Sequence, residues 1–66
     1  MKPLSPTQQR VYDVIAECQR VGGYTPTMKD IGKKMGISNF TVAVHIRNII
    51  EKGKARRINP RHIELL

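Results

Sequence analysis

Residues 27–53 read Thr27-Met28-Lys29-Asp30-Ile31-Gly32-Lys33-Lys34-Met35-Gly36-Ile37-Ser38-Asn39-Phe40-Thr41-Val42-Ala43-Val44-His45-Ile46-Arg47-Asn48-Ile49-Ile50-Glu51-Lys52-Gly53. Thr27 with Asp30 three residues later is a helix-starting pair, a capping hydroxyl answered by a carboxylate that suits the N-terminal end of the helix dipole. Ile31 and Met35 are four apart and share a face, and Gly36 closes this short helix. One apolar residue, Ile37, separates it from Ser38, a second cap. Val42, Ile46 and Ile49 then recur at i, i+4, i+7 as a buried stripe that Ile50 widens, until Gly53 stops the helix with Lys52 near its C-terminal dipole. The stretch is two helices joined by a tight turn. Gly32 is out of place, since glycine inside a helix costs roughly 1 kcal/mol against alanine. The expectation is a neighbouring helix too close for a methyl group.

The residues upstream supply one more helix. Ser5-Pro6-Thr7-Gln8 gives a cap, a proline at the first helical position and a Gln reaching back to the cap. Val11, Val14, Ile15 and Cys18 form one face and Val21 follows three residues later, with Tyr12 at its boundary; this predicts a helix over 5–21 that Gly22-Gly23 ends. Tyr24-Thr25-Pro26 is an extended connection, because Pro26 biases Thr25 away from helix. Downstream, Ile58, Ile63 and Leu65 are the apolar points of 54–66, and Asn59-Pro60-Arg61 is a turn signal, so this stretch reads as a short hairpin. Adjacent Arg56 and Arg57 put one arginine on the inner face unless a bulge intervenes. The predicted organisation is one domain over 1–66, mainly α with a small β-hairpin: helices 5–21, 28–35 and 39–52, then a hairpin over 54–66.

Sixty-six residues leave a thin stability margin, since a domain this small buries only about 60% of its unfolded surface. The single cysteine, Cys18, excludes an internal disulfide and a multi-cysteine zinc site; it reads as a small buried apolar residue in a reducing cytoplasm. No apolar run approaches the roughly 20 residues of a membrane span, and no signal peptide is evident. The formal net charge is +7. Nine of the basic side chains, Lys29, Lys33, Lys34, Arg47, Lys52, Lys54, Arg56, Arg57 and Arg61, fall within 29–61 against only Asp30 and Glu51. The excess charge lies on the two-helix motif and the hairpin, which points to a polyanion.

Two helices around a tight turn, with a cationic excess, make a helix-turn-helix whose second helix enters the DNA major groove. The order helix, short strand, helix, helix, hairpin resembles the winged helix-turn-helix, in which the connection at 24–26 often pairs with the hairpin as an edge strand. Leu4 to Ile15 resembles the first helix of the LexA repressor family. Gly23-Tyr24-Thr25-Pro26-Thr27 and Asp30 to Gly36 are similar to that family's entry into and run of the second helix. Thr41-Val42, His45-Ile46 and Glu51-Lys52-Gly53 are similar to the broader bacterial winged-helix pattern. The resemblance covers nearly the whole chain and implies a DNA-binding transcriptional regulator, repressor-like, working in a bacterial or phage-infected cytoplasm at the nucleoid. Departures are informative. Gly32 replaces a usual alanine, the wing is short, and Phe40 and Val44 stand where polar residues are common. The family's self-cleaving Ser–Lys domain and the dimerisation it supplies have no counterpart in these 66 residues, so neither is carried over.

With Val42, Ile46 and Ile49 facing inward, the other side of the third helix presents Asn39, Phe40, Ala43, Val44 and Arg47 as candidate base contacts. Asn39 suits adenine and Arg47 suits guanine or a phosphate, while Phe40, Ala43 and Val44 suit thymine methyls and an A·T-leaning site. Ser38, Thr41, Lys29, Lys33, Lys34, Lys54, Arg56, Arg57 and Arg61 are candidate backbone contacts. Simpler readings stand beside these. Asn39 starts a helix, Phe40 tucks back toward Ile37, the basic wing is a charged edge that resists aggregation, and His45 is a packing residue at the edge of the core. The partner is double-stranded DNA, with a homodimer on a palindromic site in view and no membrane, small-molecule ligand, metal or cofactor evident. No carboxylate cluster, nucleophile elbow or phosphate loop supports an enzyme. The rival is a protein-interaction module that docks on a host repressor or polymerase through Phe40 and Val44. RNA binding is weaker, because three scattered aromatic residues make no stacking platform.

Overall fold

The computed structural model describes residues 3–59 and 62–66, so Arg61 lies outside the described residues. Helix α1 spans Pro6–Glu17, α2 Met28–Met35 and α3 Asn39–Glu51; strands β1 (Ala55–Asn59) and β2 (His62–Leu65) pair antiparallel. This is the winged helix-turn-helix arrangement of three helices and a hairpin.

Each helix starts where a side chain satisfies its free amides. The Ser5 hydroxyl accepts from the Gln8 amide while Gln8 Oε1 accepts from the Ser5 amide. Thr27 and Asp30 repeat the reciprocal pair at α2. At α3 the Ser38 hydroxyl accepts from the Thr41 amide. Gly36 ends α2 at φ 71°, a left-handed conformation that glycine takes without strain.

The core is one cluster of Val11, Ile15, Ile31, Val42, Ile46, Ile49, Ala55 and Ile63, all at most 5% exposed. It draws on every helix and both strands. Burying one such branched side chain stabilises the fold by about 1.5–3 kcal/mol. Leu4, Tyr12, Val14, Met28, Met35, Ile37, Ile50 and Leu65 pack around it.

The first helix departs from the expected single rod. After Glu17 the chain widens into a π-helical turn, Cys18–Gly22, whose i to i+5 bond runs from the Gly23 amide to the Cys18 carbonyl. The extra residue in the turn rotates the following side chain off the buried face. Val21, expected to extend the Val11–Cys18 face, is accordingly 72% exposed.

The connection at 24–26 also departs from expectation. Among the described residues the sheet has two strands, and the connection is not a third. Side chains tether it instead. The Gln19 amide group donates to Thr25 Oγ1 (3.2 Å) and to the Ile63 carbonyl (2.6 Å), and Thr25 Oγ1 lies 2.9 Å from His62 Nδ1. The π-turn that continues α1 aims Gln19 at the hairpin, and Tyr12 on α1 donates to the Leu66 carbonyl beyond β2 at 3.1 Å.

The hairpin register pairs Ala55 with Leu65, Arg56 with Glu64, Arg57 with Ile63 and Asn59 with His62. A shift between Arg57 and Asn59 leaves Ile58 as the extra residue of a bulge. Ile58 is therefore 47% exposed and not a core point of the hairpin.

Candidate nucleic-acid interface

Helix α3 buries Val42, Ile46 and Ile49 and turns its opposite side to solvent. Phe40, Val44 and Arg47 stand there one helical turn apart, all exposed. Phe40 is 78% exposed and does not tuck against Ile37. Asn39 and Ala43 lie on the flank of this face, because helical spacing sets them nearer the buried stripe. Asn39 Oδ1 comes within 3.5 Å of the position a methyl on Gly32 would take.

The turn that holds α3 in place explains Gly32. A Cβ there would meet the Ile37 carbonyl oxygen at 2.6 Å, whereas the side chain of Val42 is at an ordinary 3.6 Å. The obstacle is the backbone of the turn and not the neighbouring helix. Gly32 also receives the Ile37 amide on its carbonyl at 2.9 Å, which locks the turn from both sides.

Ser38 and Thr41 are less free than their types suggest. Their hydroxyls lie 2.9 Å apart, and Ser38 also caps the helix. His45 is half-buried at the edge of the core, and its Nδ1 has no partner among the described residues.

The cations divide into distinct groups. Lys29, Lys33 and Lys34 are all exposed on α2. Lys33 and Lys34 border a groove between α1 and α2 with Val14, Tyr24 and Asp30. Arg57 lines a cleft with Thr27, Met28, Ile46 and Ile63, which brings the wing beside the start of α2. Lys54 is half-buried, with its backbone bonded to Ile49 and Leu66. Lys52, counted in the basic excess, is turned inward and donates to Gln8 and Pro3.

Two carboxylates outside the candidate contacts touch arginines within them. Arg47 Nε lies 3.6 Å from Glu51, and Arg56 donates to Glu64 at 2.9 Å. Both pairs are exposed, so each contributes at most about 1 kcal/mol to the fold. The first pair is legible as an i, i+4 spacing on a helix. The second becomes visible only once the hairpin register is known.

Among the described residues no helix is long and apolar enough to cross a membrane, and no three His, Cys, Asp or Glu side chains gather as a metal site.

Comparison with known proteins agrees with this geometry. The family described as the LexA DNA binding domain matches residues 1–62. The LexA repressor of Herpetosiphon aurantiacus is 41% identical over 86% of this chain and 27% of its own length. The LexA repressors of Halalkalibacterium halodurans and Staphylococcus epidermidis are 41% and 36% identical over the whole of this chain, and it covers 33% and 34% of theirs. The chain thus spans about a third of the length of such relatives.

Proposed function

The chain belongs to the LexA DNA-binding-domain family, and from that premise we propose that it binds double-stranded DNA sequence-specifically as a repressor-like transcriptional regulator. Helix α3 lies in the major groove with Phe40, Val44 and Arg47 toward the bases and Asn39 and Ala43 at the side. Lys29, Lys33 and Lys34 on α2, Lys54, Arg56 and Arg57 on the wing, and the Ser38–Thr41 helix start hold the sugar-phosphate backbone. Arg61 belongs to the same basic wing by sequence. The chain acts as a DNA-binding unit, with no cofactor and no catalytic step in this reading. The setting is a bacterial or phage-infected cytoplasm, and two copies would meet a palindromic site with half-sites about 34–36 Å apart.

One observation carries the proposal. Burial of Val42, Ile46 and Ile49 leaves the opposite face of α3 uncovered, on a chain whose net charge is +7. An uncovered helix face on a cationic body suits a polyanion with a groove wide enough for a helix.

The test is an amide NMR titration with duplex oligomers at low ionic strength. Shifts clustered at 39–47 support the reading, and their absence sinks it. A salt series adds a magnitude: with four to six phosphates neutralised, log affinity falls against log salt with a slope of roughly −4 to −5. The docking alternative draws on the exposure of Phe40 and Val44. It takes over if Phe40→Ala abolishes capture of a protein partner while Arg47→Ala and Arg57→Ala leave duplex binding untouched.

A further inference from the structure

The uncovered face of α3 is built from the wrong chemistry for reading bases by hydrogen bonds alone. Phe40 is 78% exposed and Val44 is 40% exposed. Neither is among the residues of the core or those packed on it. Folding therefore gains little from either side chain, and a phenyl ring held in water is unfavourable until something covers it. Arg47, three residues beyond Val44 and exposed, sets a cation beside the apolar pair, its Nε 3.6 Å from the exposed Glu51 carboxylate. The covering surface must be anionic at its rim and carry isolated apolar groups at its floor. In the major groove only one base substituent is apolar, the C5-methyl of thymine.

Resting on the DNA-binding reading above, we propose that Phe40 and Val44 recognise the C5-methyl groups of pyrimidines. On this reading thymine and 5-methylcytosine are accepted, and uracil and unmodified cytosine are disfavoured. The spacing fits two contacts. Residues i and i+4 are separated along the helix by roughly 6 Å, against roughly 3.4 Å per base step, so the two side chains meet methyl groups about two steps apart. Phe40, in the first turn of α3, reaches one methyl and Val44 the other. The polar edges of neighbouring base pairs fall to Asn39 and Arg47. An apolar side chain is indifferent to whether the pyrimidine carries an O4 acceptor or an N4 donor, and this is why a methylated cytosine passes as thymine.

The test uses the 66-residue chain and a duplex selected from a random pool. Each selected thymine is replaced in turn by uracil, which removes one methyl and leaves base pairing intact. Separate duplexes carry C·G or 5-methylcytosine·G at the same place. The expected result is a loss of roughly fourfold for uracil at one or two positions, with 5-methylcytosine binding several-fold tighter than cytosine there. Phe40→Ala removes the uracil penalty at one position and Val44→Ala at the other, and each lowers affinity for the all-thymine duplex by about the same factor as the uracil substitution it makes redundant. Both side chains are exposed, so the variants keep the fold, which a thermal melt checks. Uracil equal to thymine at every position of a duplex that is still bound overturns the methyl reading and leaves DNA binding standing. No binding to any duplex at low ionic strength overturns the DNA-binding reading, and this proposal with it.

Discussion

The Lys52 ammonium donates to Gln8 Oε1 at 2.6 Å, and the same oxygen accepts the Ser5 amide at 3.1 Å. A residue at the end of α3 thus completes the cap at the start of α1, and Lys52 also holds the Pro3 carbonyl at 3.1 Å. Gln8 is 8% exposed, so its partners are not readily replaced by water. Lys52→Met should lower unfolding free energy by about 1.5–3 kcal/mol, the worth of a hydrogen bond to a charged group. Gln8→Ala should cost about as much. The double variant should lose less than the two losses added together, by about 1 kcal/mol, because each single change already breaks the shared bond. Urea denaturation of the four proteins measures this, and strict additivity would contradict the link.

Gly32→Val tests the turn. The new Cβ meets the Ile37 carbonyl, a backbone atom whose position fixes the start of α3. Overpacking at such a point costs about 2–3 kcal/mol, which in a domain this small lowers the melting temperature by roughly 10 °C or more. A circular-dichroism melt reads it. An unchanged midpoint would mean that the turn opens without resistance.

Much of this was legible in the sequence because its signals are local. Ser5 with Gln8, Thr27 with Asp30, and the Val42–Ile46–Ile49 stripe each lie within a few residues, and the structure has each as its local pattern implies. Val21 escapes the pattern because helical spacing assumes an α-helix throughout, and the π-turn at Cys18–Gly22 breaks that count. The absent edge strand failed for a different reason. Extended residues near a hairpin are compatible with pairing, but here Gln19 occupies the Ile63 carbonyl with its side chain. Ile58 depends on a bulge that the adjacent Arg56 and Arg57 leave open without placing, and the Arg56–Glu64 pair depends on register. A glycine at position 32 signals crowding, but only the structure shows that the crowding comes from the Ile37 carbonyl and not from a neighbouring helix.

Tyr24 gives an alkaline prediction. A hydrogen bond with the Cys18 side chain, then the charge of Cys18, then desolvation and last the charge of Asp30 raise its hydroxyl above the usual 10.0. A raised value in the fold means that the folded chain holds the proton more tightly than the unfolded one. The resulting stabilisation is complete below the unfolded value and is lost as pH rises through the folded one. Melting temperatures of the wild-type chain and Tyr24→Phe should therefore differ by a constant amount up to about pH 9 and converge above about pH 10. A difference that stays constant to higher pH would rule out this contribution.

Arg47 and Arg57 should fail in different ways. Arg47 stands on the outward face of α3 beside Val44, so Arg47→Ala should weaken binding and shift the selected sequence. Arg57 belongs to the wing, so Arg57→Ala should weaken every duplex alike and reduce the salt slope by about 1. Site selection with each variant separates them, and an identical shift in sequence preference for both would contradict the division.

Glu64 restrains the wing. Its carboxylate accepts from Arg56 at 2.9 Å, so a phosphate approaching Arg56 must displace a charge already in place. The pair is exposed, which makes displacement cheap in stability. It still subtracts from binding, because the carboxylate left behind repels the backbone and its partner's charge is shared. Glu64→Gln should tighten binding to all duplexes by several-fold, without changing which sequence is selected, since a phosphate contact carries no base information. The gain should fade as salt rises toward 1 M, where the screening length falls to about 3 Å. Fluorescence anisotropy at several salt concentrations measures both effects. Equal affinities for Glu64→Gln and the wild-type chain at low salt would remove Arg56 from the set of phosphate contacts.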